Sequence, residues 1–194
     1  MNAEYIKEQL KNCLNSERYE HTLGVADCAV ELAKLYGLDE KKAYLAGLLH
    51  DCAKCLSNDE LLKIIKTELK EIKEEDLISH KTFHAPVGAH FAKNIYNVND
   101  KEILDAISCH TIGKLNMSLF EKIIFLADKI ETNTRDLEYC KKMRKILEEN
   151  KGEKGLNMAI FICFSNTIKS LVERKIKICK TTIDVYNELL ELTK

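Results

Sequence analysis

The chain is poor in residues that break helices, with one proline and seven glycines in 194 residues. That scarcity excludes a loop-rich scaffold and leaves long segments free to be helical. It also lacks an excess of either charge: 30 Lys and Arg against 31 Asp and Glu, a net charge of -1. No basic stripe for nucleic acid emerges from this interleaving, so any contact with phosphate must be local. Long apolar runs are missing as well. The longest, from Met158 to Phe164, is far too short to span a bilayer. Charges run throughout Met1 to Leu14, so no N-terminal signal pattern is present. The resulting expectation is a cytoplasmic protein without a nucleic-acid or membrane partner. Cysteine is not scarce, at eight residues. That is still well below the density of a disulfide scaffold, and reduced, mostly buried thiols are expected.

What is there is an apolar content of 45% and a charged content of 31%, enough for a real core under a wet surface. The length suits one domain over 1–194, with a site-bearing part over about 16–135 and C-terminal helices over about 137–194. Asn2 to Leu14 reads as a short amphipathic helix. Ser16 is placed to cap a second helix running to Gly37, with its polar stripe on Glu20, Asp27, Glu31 and Lys34. His21 lies away from that stripe and points inward. Asp39 caps a third helix that ends near His50-Asp51. Ser57 to Glu60 and Ser118 to Glu121 are capping-box patterns, and His84-Ala85-Pro86 opens a helix with Pro in its first turn. Lys63 to Glu75 reads as a solvated, Lys- and Glu-rich face. Asn99 to Glu102 caps a helix ending near His110, and Thr111 to Lys114 is a turn. Leu137 to Glu149 is a charged helix, Lys151 to Gly155 a linker, and two further helices span about Leu156 to Lys175 and Thr181 to Leu192. Phe161 to Phe164 resembles a strand by composition, but a lone strand has no partner, so helix is preferred. The fold class is all-α and bundle-like.

The inward-pointing polar residues stand out against this pattern. They are His21 within a helix, His50 and Asp51 at a helix end, His84 at a helix start, His110 at a helix end, and Asp128 inside a late apolar helix. A single buried His is ordinarily a core residue with a hydrogen-bond partner. Four together with two carboxylates are costly to bury unless a cation shares them. Nitrogen and oxygen donors without thiolates suit iron, manganese, zinc or cobalt. Six donors exceed what one catalytic metal takes while keeping a position open, so two metals with a bridging carboxylate are expected.

The words around these residues carry a resemblance. His21, His50-Asp51 and Asp128 resemble the signature of the HD-domain phosphohydrolases, and His84 and His110 resemble its dinuclear subgroup. Arg18 to Thr22, His50 to Lys54, His84 to Ala89, His110 to Gly113 and Ala127 to Glu131 are similar to the YqeK family of bacterial symmetrical diadenosine tetraphosphate hydrolases. The resemblance implies an HD-domain helical bundle. It implies one metal on His21, His50, Asp51 and Asp128, and a second on His84 and His110 with Asp51 bridging. It also implies iron as the metal, a dinucleotide substrate and ADP as product. Two departures are visible: Thr132-Asn133-Thr134 stands where the family has Pro before an Arg, and Cys52 replaces an aromatic or aliphatic residue.

The chemistry of the residues agrees with that implication. A metal pair lowers the pKa of water, so a nucleophile exists at neutral pH. Asp51 and Lys54 are the candidate catalytic residues, Lys54 as a point charge toward phosphate. Arg18, Lys54, Thr111 and Arg135 are the candidate substrate contacts. Another HD activity, such as a nucleotidase or a guanosine-tetraphosphate hydrolase, remains an alternative, as does a metal-containing nucleotide-binding regulator without turnover. Homodimer formation is open. Cys52-Ala53-Lys54-Cys55 is a C-x-x-C, but it has no second pair and follows a helix, which argues against zinc or redox chemistry. His80 and His90 match no ligand pattern and are read as surface or structural residues.

Overall fold

The computed structural model describes residues 2–72 and 77–194, and the regular structure among them is helical. The α-helices are α1 (Ala3–Cys13), α2 (Ser16–Tyr36), α3 (Glu40–Leu49), α4 (Asn58–Glu68), α5 (His84–Asn94), α6 (Lys101–Cys109), α7 (Leu119–Ile130), α8 (Leu137–Glu149), α9 (Glu153–Glu173) and α10 (Lys180–Leu192). A 3-10 turn, His80–Thr82, precedes α5. Phe161 to Phe164 lies within α9, as the missing strand partner requires. Part of the Lys- and Glu-rich stretch, 73–75, lies outside the described residues.

Local chemistry explains most boundaries. Both capping boxes form, Ser57 with Glu60 and Ser118 with Glu121. Asp39 and Asp100 cap α3 and α6. Two expectations shift. Asn15, not Ser16, caps α2: its backbone is extended and its side chain accepts from Arg18 N at 2.8 Å, leaving Ser16 as the first helical residue. The linker before α9 is also shorter than Lys151 to Gly155, because the helix already begins at Glu153. Glu153 suits a helix N-terminus and is held there by Lys122 Nζ at 2.7 Å.

The hydrophobic spine is α2, which packs on α3 and α7; α6 packs against α3, α5 and α7. The α2–α3 approach is unusually close. A Cβ on Gly47 would lie 2.7 Å from Ala26 Cα, so only glycine admits this crossing. That approach sets the His21 and His50 rings edge to face with centroids 5.3 Å apart. A separate small core of Ala53, Leu61, Ile65, Phe83 and Val87 sits between α4 and α5 and anchors the segment that follows His50-Asp51.

By length and composition α9 is apolar enough to cross a membrane. Here it is a core helix: Leu156, Ala159, Ile160, Cys163 and Phe164 are buried, and it packs on α7, α8 and α10. Phe164 stacks on Phe125 with ring centroids 5.0 Å apart. All eight cysteines are free, as a reduced chain requires.

Candidate metal and active site

His21, His50, Asp51, His84, His110 and Asp128, spread over five helices and their ends, meet in one buried cluster; none is more than 6% exposed. His50 and His110 occupy equivalent positions, each just past a helix C-terminus. The last carbonyls of a helix lack intrahelical donors. Each imidazole supplies one, His50 Nδ1 donating to Gly47 O and His110 Nδ1 to Ile107 O, both at 2.7 Å. The device commits Nδ1 to the backbone and turns the Nε2 lone pair toward the cluster, the arrangement a metal-binding imidazole needs.

Asp51 sits at the centre. Its Oδ2 lies 3.4 Å from His50 Nε2 and 4.0 Å from His21 Nε2. Its Oδ1 faces the other side, 3.0 Å from His84 Nε2 and 3.6 Å from His110 Nε2. Two ligand-like triads therefore share this one carboxylate: His21, His50, Asp51 and Asp51, His84, His110. Asp128 Oδ1 lies 3.0 Å from His21 Nε2 and 3.9 Å from His50 Nε2, on the first triad.

His21 Nε2, His50 Nε2 and Asp51 Oδ1 are buried without a hydrogen-bond partner among the described residues. The imidazole nitrogens and carboxylate oxygens face one another at 3.0–4.0 Å inside the cluster. Such orphaned acceptors are costly to bury, and a cation between them removes the cost. The donor set thus fits divalent metal.

The electrostatics point the same way. Burial opposes ionisation of Asp51, but His50, His110 and His84 hold its carboxyl well below the usual range. Burial also opposes ionisation of Asp128, yet Lys129, with Nζ 2.5 Å from Oδ2, keeps it well below that range. Burial pulls His84 down to about 4 and His110 below its ordinary value, despite Asp51. Burial likewise opposes charging of His50, but Asp51 raises it.

Cations surround this cluster. Arg18 Nη1 donates to Asp51 Oδ2 at 2.9 Å. Arg135 donates through Nη2 to Asp128 Oδ1 and through Nε to the Asp128 carbonyl, both at 2.9 Å. Each Arg side chain remains 37% exposed, so both also reach the solvent side. Burial pushes the Lys54 ammonium below its usual range, with Asp51 opposing and Arg18 adding to the shift. Thr111, next to His110, lines a cavity of about 630 Å³ together with Phe125, Lys129, Arg135, Tyr139 and Phe164. Lys54 and His84 line a second cavity of about 540 Å³.

The six proposed ligands therefore meet in one buried centre, Arg18 and Arg135 bond to its carboxylates, and Thr111 and Lys54 line the cavities beside it. The C-x-x-C takes no part in a metal-type cluster among the described residues. Cys52 is buried and donates to Gly88 O at 3.4 Å, and Cys55 is exposed. His90 is bonded within its own helix to Asn94. His80 is exposed, in keeping with its surface reading, and lines the second cavity from that position. Two residues had no role assigned from the sequence. Lys129 is one. Glu131 is the other: fully buried, it accepts from His21 Nδ1 at 3.0 Å. A signal existed, because a carboxylate follows Asp128 by one turn's spacing at an apolar helix end. Gly24 leaves the room it occupies, since a Cβ there would collide with the Glu131 carboxylate.

Buried imidazoles and carboxylates converging from helix ends, ringed by Arg and Lys, define a helical protein of divalent-metal-binding type. The HD domain model matches residues 18–133, and the chain belongs to the HD-domain family. It is 38% identical over 192 residues to the symmetrical bis(5'-nucleosyl)-tetraphosphatase of Halalkalibacterium halodurans, covering 98% of each chain. It is 37% identical to the Bacillus subtilis protein of the same description, again over 98% of each. A crystal structure from Clostridium acetobutylicum, described as a predicted HD superfamily hydrolase involved in NAD metabolism, superposes with a TM-score of 0.90 at 38% identity, over 98% of both chains.

Proposed function

We propose that this chain is a symmetrical bis(5'-nucleosyl)-tetraphosphatase that hydrolyses diadenosine tetraphosphate to two ADP in the cytoplasm. The observation that carries the reading is Asp51, which offers one oxygen to each of two histidine pairs while cation-rimmed cavities lie alongside. In this reading His21, His50, Asp51 and Asp128 hold one metal, Asp51, His84 and His110 hold a second, and the metal is iron. Bound there, a metal pair supplies activated water at neutral pH and Lewis acidity toward phosphoryl oxygens.

The protein's own groups do the rest. Arg18 beside Asp51, and Lys129 and Arg135 at the edge of the first cavity, offset phosphate charge. Lys54 stabilises charge growing on the bridge as it breaks. Thr111 contributes a hydroxyl beside His110. The rings of Phe125, Tyr139 and Phe164 offer an apolar surface for a nucleobase. The Nδ1 bonds of His21, His50 and His110 keep their rings from turning. Water adds to the inner phosphorus of one nucleoside diphosphate half. The bond from that phosphorus to the central bridging oxygen breaks, and the other half departs with that oxygen while a proton passes to solvent. A departing diphosphate spreads its charge, so no strong general acid is needed.

Oxygen-18 water tests this. The products should be two ADP, with one label on the terminal phosphate of one of them. ATP plus AMP would mean attack one phosphate out of register and would overturn the symmetrical assignment. A panel including guanosine tetraphosphate and mononucleotides separates the other HD activities, and tight ADP binding without turnover would favour a regulator.

A further inference from the structure

The two cavities approach the buried cluster through different residues. The first reaches it beside Asp128, through Lys129 and Arg135, and beside His110, through Thr111. The second reaches it through His84 itself and Lys54. They are not separate features, because Ile78, Ser79, Lys81 and Lys177 line both. Those residues form a ridge between them that carries two ammonium groups. Neither Lys81 nor Lys177 makes an ion pair with a carboxylate among the described residues. Ser79 Oγ accepts from Lys81 N at 3.3 Å and so sets the start of this ridge.

The second cavity has the size and chemistry of a nucleotide site. Its volume, about 540 Å³, is close to the first and within the range of small-molecule sites. Lys54, Lys81 and Lys177 bring three cations to it, while Leu56, Leu61 and Ile176 bring apolar surface, and His80 adds a ring held against Phe83 at 5.3 Å. A symmetrical dinucleotide has two equal halves, and the first cavity accommodates one. We propose that the second cavity binds the departing nucleoside diphosphate half, with the polyphosphate crossing the Lys81–Lys177 ridge past the Asp51 centre. This rests on the tetraphosphatase reading above. It adds a subsite and makes Lys81 and Lys177 positioning residues for the bridge.

The test compares diadenosine tetraphosphate with adenosine 5'-tetraphosphate, which keeps the bridge but lacks the second nucleoside. Asn58→Trp places a large ring at the wall of the second cavity from an exposed position. It should raise KM for the dinucleotide about tenfold and leave that for adenosine tetraphosphate unchanged. Lys81→Ala with Lys177→Ala should raise KM for both by roughly tenfold or more, the scale of a lost charge-assisted contact, with kcat much less affected. Calorimetric titration with ADP should saturate at two per chain in the wild type and at one in Asn58→Trp. Equal effects of Asn58→Trp on both substrates, an unchanged KM in the double lysine variant, or one ADP per wild-type chain would each overturn the second subsite. If the wild type still makes two ADP, the hydrolase reading survives those outcomes; if it makes none, both fall.

Discussion

His21 Nδ1 donates to Glu131 Oε1 across 3.0 Å, tying α2 to the residue that ends α7. Burial opposes ionisation of Glu131, but Thr134 and His21 hold its carboxyl below the usual range, so it is an acceptor and the proton sits on Nδ1. Nε2 is thereby left as a lone pair toward Asp51 and Asp128. Outer partners of this kind commonly change metal affinity by about 10–100-fold. Glu131→Gln should weaken metal binding on that scale at an intact fold, measured by competition with a chelator. Unchanged affinity would mean that Glu131 merely fills space.

Gly47 decides how closely α3 approaches α2. Gly47→Ala forces a Cβ against the Ala26 backbone. Overpacking of this kind costs about 1–3 kcal/mol, or about 2–4 °C of Tm per kcal/mol for a chain of this size. Metal affinity should fall as well, because His50 is carried by the same helix. A thermal melt and a metal titration check both.

His84→Ala or His110→Ala should each lose about one metal per chain and keep the fold, since these rings serve only the second triad. Elemental analysis of anaerobically purified protein, with circular dichroism, reads this directly. A wild type holding one metal, unaffected by either change, would rule out the two-metal assignment.

Asp51→Asn keeps the side-chain size but removes the charge that faces both triads. Turnover should fall by several orders of magnitude, as when a catalytic unit is broken. Near-normal turnover with both metals retained would exclude the bridging role.

Lys54 gives a pH signature. Its ammonium is present below its pKa and lost as pH rises through it, and burial sets that pKa under the ordinary 10.5. The kcat/KM of the wild type should therefore fall along an alkaline limb with its midpoint below 10.5. Lys54→Arg, which stays charged, should remove that limb. An identical limb in the Arg variant would assign it to another group.

Most of the helical frame was legible in the sequence because its signals are local. Capping boxes at Ser57 and Ser118, the acidic caps Asp39 and Asp100, and Pro in the first turn of α5 act within a few residues of themselves. The cap of α2 falls on Asn15 where the sequence reading placed it on Ser16, because adjacent residues of capping type are told apart only by backbone geometry. The inward placement of His21 followed from its angle on an amphipathic helix. His50 and Asp51, by contrast, could be placed only at a helix end, not against any partner.

Tertiary structure alone decided who meets whom. Periodicity does not say that Asp51 turns one oxygen to His50 and the other to His84, since that depends on how α2, α3, α5 and α6 pack. Nor does it say that Arg18 and Arg135 each reach a carboxylate of the cluster. Glu131 was hidden for the same reason: its partner is 110 positions away, and its space exists because Gly24 has no side chain. The cavities and the Lys81–Lys177 ridge arise where segments distant in sequence converge. Short-range hydrogen bonding and hydrophobic periodicity are written into neighbouring residues, whereas distances between side chains on different helices are set only when the whole core packs.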